Sequence, residues 1–313
     1  MALTVTMNVS GLLQRGTADL KAHGIPSPRL EAETLLCSVM SCKRIDFYID
    51  PDKSCSERQE SLFGEFVRRR SGHEPLQYIT GRVDFSGLSL VVRPGVFIPR
   101  PETELIVEAV CTFTLFPKRI LDLCTGSGAL AVALALRLPS SKITATDVSA
   151  RALSNARLNI ERHQCAHRVR LLKGDLFQVF QGETRSRERE TALAKFDLIV
   201  CNPPYIPEEE CSQLQPEVRD YEPHAALFAP EKGRAFYRCI LQEASTFLLP
   251  GGHLLFELGM GQADWFEDHV KQENRFQVRF ISDMAGIDRV AVCSRRPVGK
   301  TGLGLTESGV SSG

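Results

Sequence analysis

Apolar positions from about Ser10 to Ser71 recur at helical spacing: Leu12-Leu13, Leu20, Leu30, Leu35-Leu36 and Val39. Pro26 and Pro28 mark a break between two helices. A second stripe, Leu62, Phe63, Phe66 and Val67, runs into Arg68-Arg69-Arg70, which reads as a solvated helix end. The period then changes. Asp84 to Val92 alternates about Ser86-Gly87, so a β-hairpin is expected within Val83–Ile98. From Arg119 onward the chain alternates strand and helix. The expected strands are Ile120–Leu123, Ile143–Asp147, Val169–Leu172, Phe196–Cys201, His253–Leu258, Gln277–Ile281 and Arg289–Ser294. Ala129–Leu138, Ala150–His163 and Arg234–Leu248 are the expected helices between them. Such alternation predicts an α/β fold, a mostly parallel seven-stranded sheet covered by helices on both faces. Only Ser282 to Asp288 separates the last two strands, too little for a helical crossover, so the last strand should be antiparallel.

Composition narrows the setting. The chain has 313 residues, enough for a large domain and a smaller one. The division expected is a helical domain at 1–82, a hairpin linker at 83–98, the α/β domain at 99–297 and a disordered tail at 298–313. A charged, apolar-poor stretch from Gln181 to Lys195 reads as an exposed insertion. Lys plus Arg and Asp plus Glu both number 38, and that neutrality argues against a protein that coats nucleic acid by bulk charge. The ten cysteines show no CxxC or CxxH spacing, which favours reduced, buried thiols over a disulfide framework or a metal site. The N-terminus lacks a signal-peptide core, and no apolar run approaches a membrane span. A cytoplasmic enzyme without a membrane partner is the expectation.

Candidate chemistry begins after the first α/β strand. Leu121-Asp122-Leu123-Cys124-Thr125-Gly126-Ser127-Gly128 follows a strand and opens a helix, and its glycines let the backbone turn tightly beside a ligand. It lacks the Gly-Lys-Ser/Thr ending of a P-loop and the third glycine of the dinucleotide fingerprint. Asp147 ends the next strand about twenty residues on, where a carboxylate can accept hydrogen bonds from both ribose hydroxyls. Asp175 follows the third strand, placed to meet an adenine edge. Singly, each carboxylate could be a helix cap. Together they end successive strands on the edge where open α/β sheets bind ligands.

Asn202-Pro203-Pro204-Tyr205 follows the fourth strand. The prolines stiffen the segment and push the residue before each toward extended backbone. The Asn202 side-chain oxygen and the Pro203 carbonyl can then accept both hydrogens of one NH₂ group, while Tyr205 lies against a planar acceptor. An amide nitrogen is a poor nucleophile, because its lone pair is delocalised, as the roughly 18–20 kcal/mol peptide rotation barrier shows. Holding both N–H bonds from one side aims the lone pair, so catalysis would rest on positioning and fixed dipoles. With the upstream loop, the segment predicts methyl transfer from S-adenosylmethionine to a conjugated NH₂, either an amide or a nucleobase.

These residues resemble the HemK/PrmC N5-glutamine methyltransferases that act on peptide chain release factors. The likeness runs from the helical region through the last strand. Its most specific element is Ile98-Pro99-Arg100-Pro101-Glu102-Thr103-Glu104, supported by Gly72 to Ile79, Asn202 to Pro207, Tyr221-Glu222-Pro223 and Ala225-Ala226-Leu227. The resemblance implies a Rossmann-like class I S-adenosylmethionine-dependent methyltransferase whose small N-terminal helical domain helps grip the release factor. Its substrate would be the glutamine of Gly-Gly-Gln in class 1 release factors. It also implies that Cys124, Thr125, Gly126, Ser127, Gly128, Asp147, Leu176 and Asn202 contact the cofactor, and that Asn202, Pro203, Pro204 and Tyr205 hold the glutamine, with Asn202, Pro203 and Tyr205 catalytic. A monomer with no direct nucleic-acid contact is expected. Two positions depart from the family pattern. Cys124 stands where glycine is usual, so its side chain should point away from the cofactor; Leu176 stands where an aromatic is common, with Phe177 a possible substitute for stacking.

Three rival readings have distinguishing features. The related ribosomal-protein glutamine methyltransferase shares the acceptor tetrapeptide but lacks the Pro-Glu-Thr-Glu pattern. An adenine-N6 or cytosine-N4 nucleic-acid methyltransferase would need clustered Lys and Arg for phosphates and a separate base-recognition domain. A non-catalytic cofactor-binding adaptor would not need the intact acceptor segment.

Overall fold

The computed structural model describes residues 7–112, 116–180 and 195–296. The insertion expected from Gln181 lies outside these residues except for Lys195, and the tail expected from Val298 lies outside them altogether.

Five helices open the chain: α1 (Val9–Ala22), α2 (Pro28–Met40), α3 (Arg44–Ile49), α4 (Glu57–Ser71) and α5 (Leu76–Thr80). Local chemistry sets their ends. The Asn8 side chain accepts the Gly11 N–H at the start of α1, Pro28 begins α2, and Ser56 and Gln59 cap each other reciprocally at α4. Leu12, Leu13, Leu20, Leu35, Leu36 and Phe63 meet in a core of their own.

The arginine run corrects the expectation of a solvated helix end. Arg70 is buried, paired with Glu31 of α2 and with Glu217 far downstream, and Arg69 forms a fork with Glu74. Of the three, Arg68 is exposed and Arg69 half-buried. The reason is helical geometry: Phe63, Val67 and Arg70 are four and three residues apart, so the arginine continues the buried stripe.

The hairpin forms as expected, β1 (Arg82–Phe85) pairing antiparallel with β2 (Leu88–Val91). Ser86 and Gly87 both have positive φ, the requirement of a type I′ turn. Buried Asn159 ties the hairpin to the α/β domain, accepting the Val91 N–H and donating to the carbonyls of Val91 and Ser127.

The main sheet contains β3 (Arg119–Leu123), β4 (Lys142–Asp147), β5 (Val169–Lys173), β6 (Phe196–Cys201), β7 (Leu248–Glu257), β8 (Phe276–Ser282) and β9 (Asp288–Arg295). Their spatial order is β5-β4-β3-β6-β7-β9-β8. β3 to β7 are parallel, and β9 runs antiparallel to both its neighbours, as its short connection requires. Along the chain the helices are α6 (Glu104–Thr112), α7 (Ala129–Arg137), α8 (Ala150–Arg162), α9 (Pro216–Tyr221), α10 (His224–Leu227), α11 (Ala235–Phe247) and α12 (Ala263–Glu273). One apolar layer joins α6 and α7 to one face of the sheet; another joins α11 and α12 to the other. The order of strands reverses between β3 and β6, and a crevice opens there beyond the strand ends. Among the described residues no helix is long and apolar enough to cross a membrane.

Candidate active site

A cavity of about 320 Å³ occupies that crevice, within the range of small-molecule sites. Cys124, Thr125, Gly126, Ser127, Asp147, Leu176, Asn202, Pro203, Pro204 and Tyr205 all line it, as does Asp175. Gly128 does not border the cavity. It starts α7 at φ 81°, where a side chain would press on Ala156 of α8, so its smallness serves close packing under the loop.

The loop is held from below. Thr125 donates its N–H to the Thr146 carbonyl at 2.9 Å and its hydroxyl to Asp122 at 2.6 Å. Asp122 is fully buried, and burial pushes its carboxyl up to about 7. Asp147 accepts the N–H of Gly126 at 2.9 Å and of Ser149 at 2.8 Å, one on each oxygen. Burial raises its pKa, and the backbone N–H groups work against that rise. Each oxygen retains a lone pair for a hydroxyl donor.

Cys124 takes a left-handed backbone, φ 58°, which explains why glycine suits this position. Its side chain packs on the apolar layer beneath the loop and meets the thiol of Cys201, although the residue still borders the cavity. Leu176 faces the cavity. Phe177 does not substitute for a stacking aromatic there: it is fully buried and lies parallel to Phe247, with ring centres 4.6 Å apart. The 3₁₀ turn at Leu176–Phe180 turns consecutive side chains to different sides.

The acceptor segment is pinned at several points. Asn202 donates its side-chain N–H to Thr103 at 3.1 Å, and Tyr205 donates its hydroxyl to Glu257 at 3.0 Å. Gln262 donates to the Tyr205 carbonyl at 3.0 Å. Ile206 pairs with the chain at Leu227 and Ala229. Gly233, at φ 80°, passes so close that any side chain would collide with the Tyr205 carbonyl. An apolar stretch also lines the cavity: Val218, Pro223, Ala225, Ala226 and Leu227.

Two motifs cited above only for their resemblance prove to hold each other. Buried Glu222 accepts the Ile98 N–H at 3.1 Å and pairs with Arg100. Burial raises the Glu222 pKa, and Arg100 opposes that. Sequence reasoning gave no role to Thr103, Glu222, Glu257 or Gln262. Glu257 did leave a signal, a lone carboxylate inside the apolar run Leu254-Leu255-Phe256-Glu257-Leu258 at the same sheet edge as Asn202.

Comparison with known proteins identifies the family. Residues 11–81 match the PrmC N-terminal domain, and residues 88–215 match the methyltransferase small domain. A release factor glutamine methyltransferase of Geobacter sulfurreducens is 41% identical over 271 residues, covering 87% of this chain and 91% of that one. Its counterpart from Nitratidesulfovibrio vulgaris is 38% identical over 299 residues, covering 94% and 97%. Among solved structures, the hMettl16 catalytic domain aligns with TM-score 0.52 at 17% identity, covering 74% of this chain and 82% of that one, and so shares the fold alone. The chain belongs to the release factor glutamine methyltransferase family.

Proposed function

We propose that this protein transfers a methyl group from S-adenosylmethionine to the side-chain amide nitrogen of the glutamine in the Gly-Gly-Gln motif of class 1 release factors. The observation that carries the reading is that the pinned segment Asn202–Tyr205 shares one cavity with the Cys124–Ser127 loop and with Asp147, which accepts the Gly126 N–H. The residues fit the cofactor. Asp147, with a lone pair left on each oxygen, would hold the ribose, Asp175 and Leu176 would meet the adenine, and Cys124 to Ser127 would edge the amino-acid portion; all of them line the cavity. When bound, the cofactor supplies an electrophilic methyl on a sulfonium.

The chain's own residues do the rest by orientation. The Asn202 side-chain oxygen and the Pro203 carbonyl take the two N–H bonds of the amide, and Tyr205 and the apolar wall confine its plane. No strong base is required, because the amide loses its proton only after its nitrogen has been alkylated and acidified. Catalysis therefore comes from prepaid positioning. The same reading places residues 1–82 as the part that grips the factor, 83–98 as linker and 99–297 as the catalytic domain. It describes a cytoplasmic monomer that needs no nucleic acid.

The test is incubation of purified enzyme with labelled cofactor and either a release factor or its Gly-Gly-Ala variant. Label should enter only the first. Equal labelling of both, or labelling of a large-subunit ribosomal protein or of DNA instead, overturns the assignment.

A further inference from the structure

Glu257 and Asn202 leave the sheet side by side. Cys201 of β6 pairs with Phe256 of β7, so the next residue of each strand emerges at the same edge. Thr103 reaches this point from the 3₁₀ turn that precedes α6. The Thr103 hydroxyl donates to one Glu257 oxygen at 2.5 Å, and Tyr205 donates to the other at 3.0 Å. Asn202 in turn donates to the Thr103 oxygen at 3.1 Å. Glu257 is 1% exposed, and no ion pair to it occurs among the described residues. A carboxylate buried without a cation is costly, and an apolar side chain would fill this place more cheaply. Its retention needs a reason beyond packing.

Polarity supplies one. Burial delays ionisation of Glu257 to about pH 7; once ionised, its carboxylate only accepts, so Thr103 must then spend its single proton on it. Thr103 then has only lone pairs to offer Asn202, and only the NH₂ corner of the Asn202 amide can meet them. The oxygen corner is thereby turned to the other side, available to a ligand in the cavity that Asn202 lines. With the amide reversed, Asn202 would present a donor to a substrate NH₂, and the pair would repel. The second Glu257 oxygen fixes the Tyr205 ring, so one buried carboxylate sets both walls of the acceptor site.

We propose that Glu257, acting through Thr103, is the positioning residue that keeps the Asn202 amide oxygen turned toward the substrate and, through its other oxygen, holds Tyr205 in place. This rests on the amide-acceptor reading given above. Neither residue touches the reacting atoms.

Thr103→Val keeps the shape of the side chain and removes the hydroxyl; Thr103→Ser keeps the hydroxyl. In the full chain at pH 8, where Glu257 is ionised, Thr103→Val should lower kcat on the release factor by about 10–100-fold. Cofactor Kd by calorimetry and thermal midpoint should stay near wild type, and Thr103→Ser should recover most of the rate. The side-chain amide resonances of Asn202, in selectively labelled protein, should move in Thr103→Val and return in Thr103→Ser. Glu257→Gln, whose amide can reverse the chain of donors, should shift the same resonances. An unchanged rate and unchanged resonances in Thr103→Val overturn the proposal. So does a parallel fall in kcat, cofactor affinity and thermal midpoint that Thr103→Ser does not repair, which would mark the network as structural only. If the wild type methylates no release factor, the functional assignment fails, and the Asn202 resonances still decide the orientation.

Discussion

Among the described glycines, Gly233 leaves the least room for a side chain. It sits at φ 80° with the Tyr205 carbonyl where a β-carbon would stand, so both the backbone conformation and the lack of space exclude a side chain. Gly233→Ala is expected to destabilise the protein by roughly 2–4 kcal/mol, combining left-handed strain with displacement of packed backbone. Denaturant unfolding measures this, and an alanine variant as stable as wild type contradicts it. The same displacement should raise KM for the release factor more than for the cofactor, because Tyr205 moves while Asp147 does not. Nothing in Lys232-Gly233-Arg234 announces this role. A glycine's neighbour is invisible to local pattern when it lies 28 residues away in a different loop.

At the scale of elements, α9 and α10 form the apolar wall of the site, and they are braced from outside the α/β domain. Arg70 at the end of α4 pairs with Glu217, and Tyr221 donates to the Gly72 carbonyl at 2.6 Å. Glu222 then locks the same stretch to Ile98 and Arg100. Arg70→Met should cost roughly 1–3 kcal/mol, since it strands Glu31 and Glu217; their partial exposure keeps the figure below that for a fully buried pair. It should also raise KM for the release factor several-fold while cofactor Kd holds. If stability falls and KM does not, the brace matters for folding alone. Element identity was largely legible in advance. The hairpin was announced by Ser86-Gly87 between alternating residues, and the antiparallel last strand by the shortness of Ser282–Asp288. The Arg70 brace was not, because three adjacent arginines look like a solvated end until the stripe Phe63–Val67–Arg70 is followed around the helix.

For the whole molecule, burying carboxylates at the strand ends has a consequence for pH. Burial lifts Glu257 from 4.5 and Asp122 from 3.8, each to about 7 in the folded state, and raises Asp147 and Glu222 as well. Around Glu257, Glu102 adds to the rise, while Thr103, Tyr205 and Arg289 oppose it. Below the unfolded values, both states hold these protons and the contribution to stability is fully present. As pH rises toward 7 the unfolded chain releases them and the folded one does not, so stability is lost, by roughly 3–4 kcal/mol for each of the two groups near 7. Carboxylates lowered by partners, such as Asp283, which accepts the Ile287 N–H and pairs with Arg289, act in the opposite sense and at lower pH. The ligand-free protein should therefore unfold at a lower temperature at pH 8 than at pH 5.5, and Glu257→Gln should flatten that difference. Identical slopes for the two proteins would contradict the assignment of the buried proton.

The fold class, the order of strands along the chain and the placement of Asp147 and Asn202–Tyr205 at strand ends follow from the sequence alone. They depend on period, on turn chemistry and on residues within a few positions of one another. The left-handed backbone of Cys124 and the inward turn of Phe177 required the structure, because each depends on what packs beneath the loop. So did the chain of donors from Asn202 through Thr103 to Glu257, whose members lie 99 and 154 positions apart. A buried polar group takes whichever partner the topology brings to it. Only the pairing of β6 beside β7, and the return of the Pro101–Thr103 turn over their ends, put these three side chains within reach of one another.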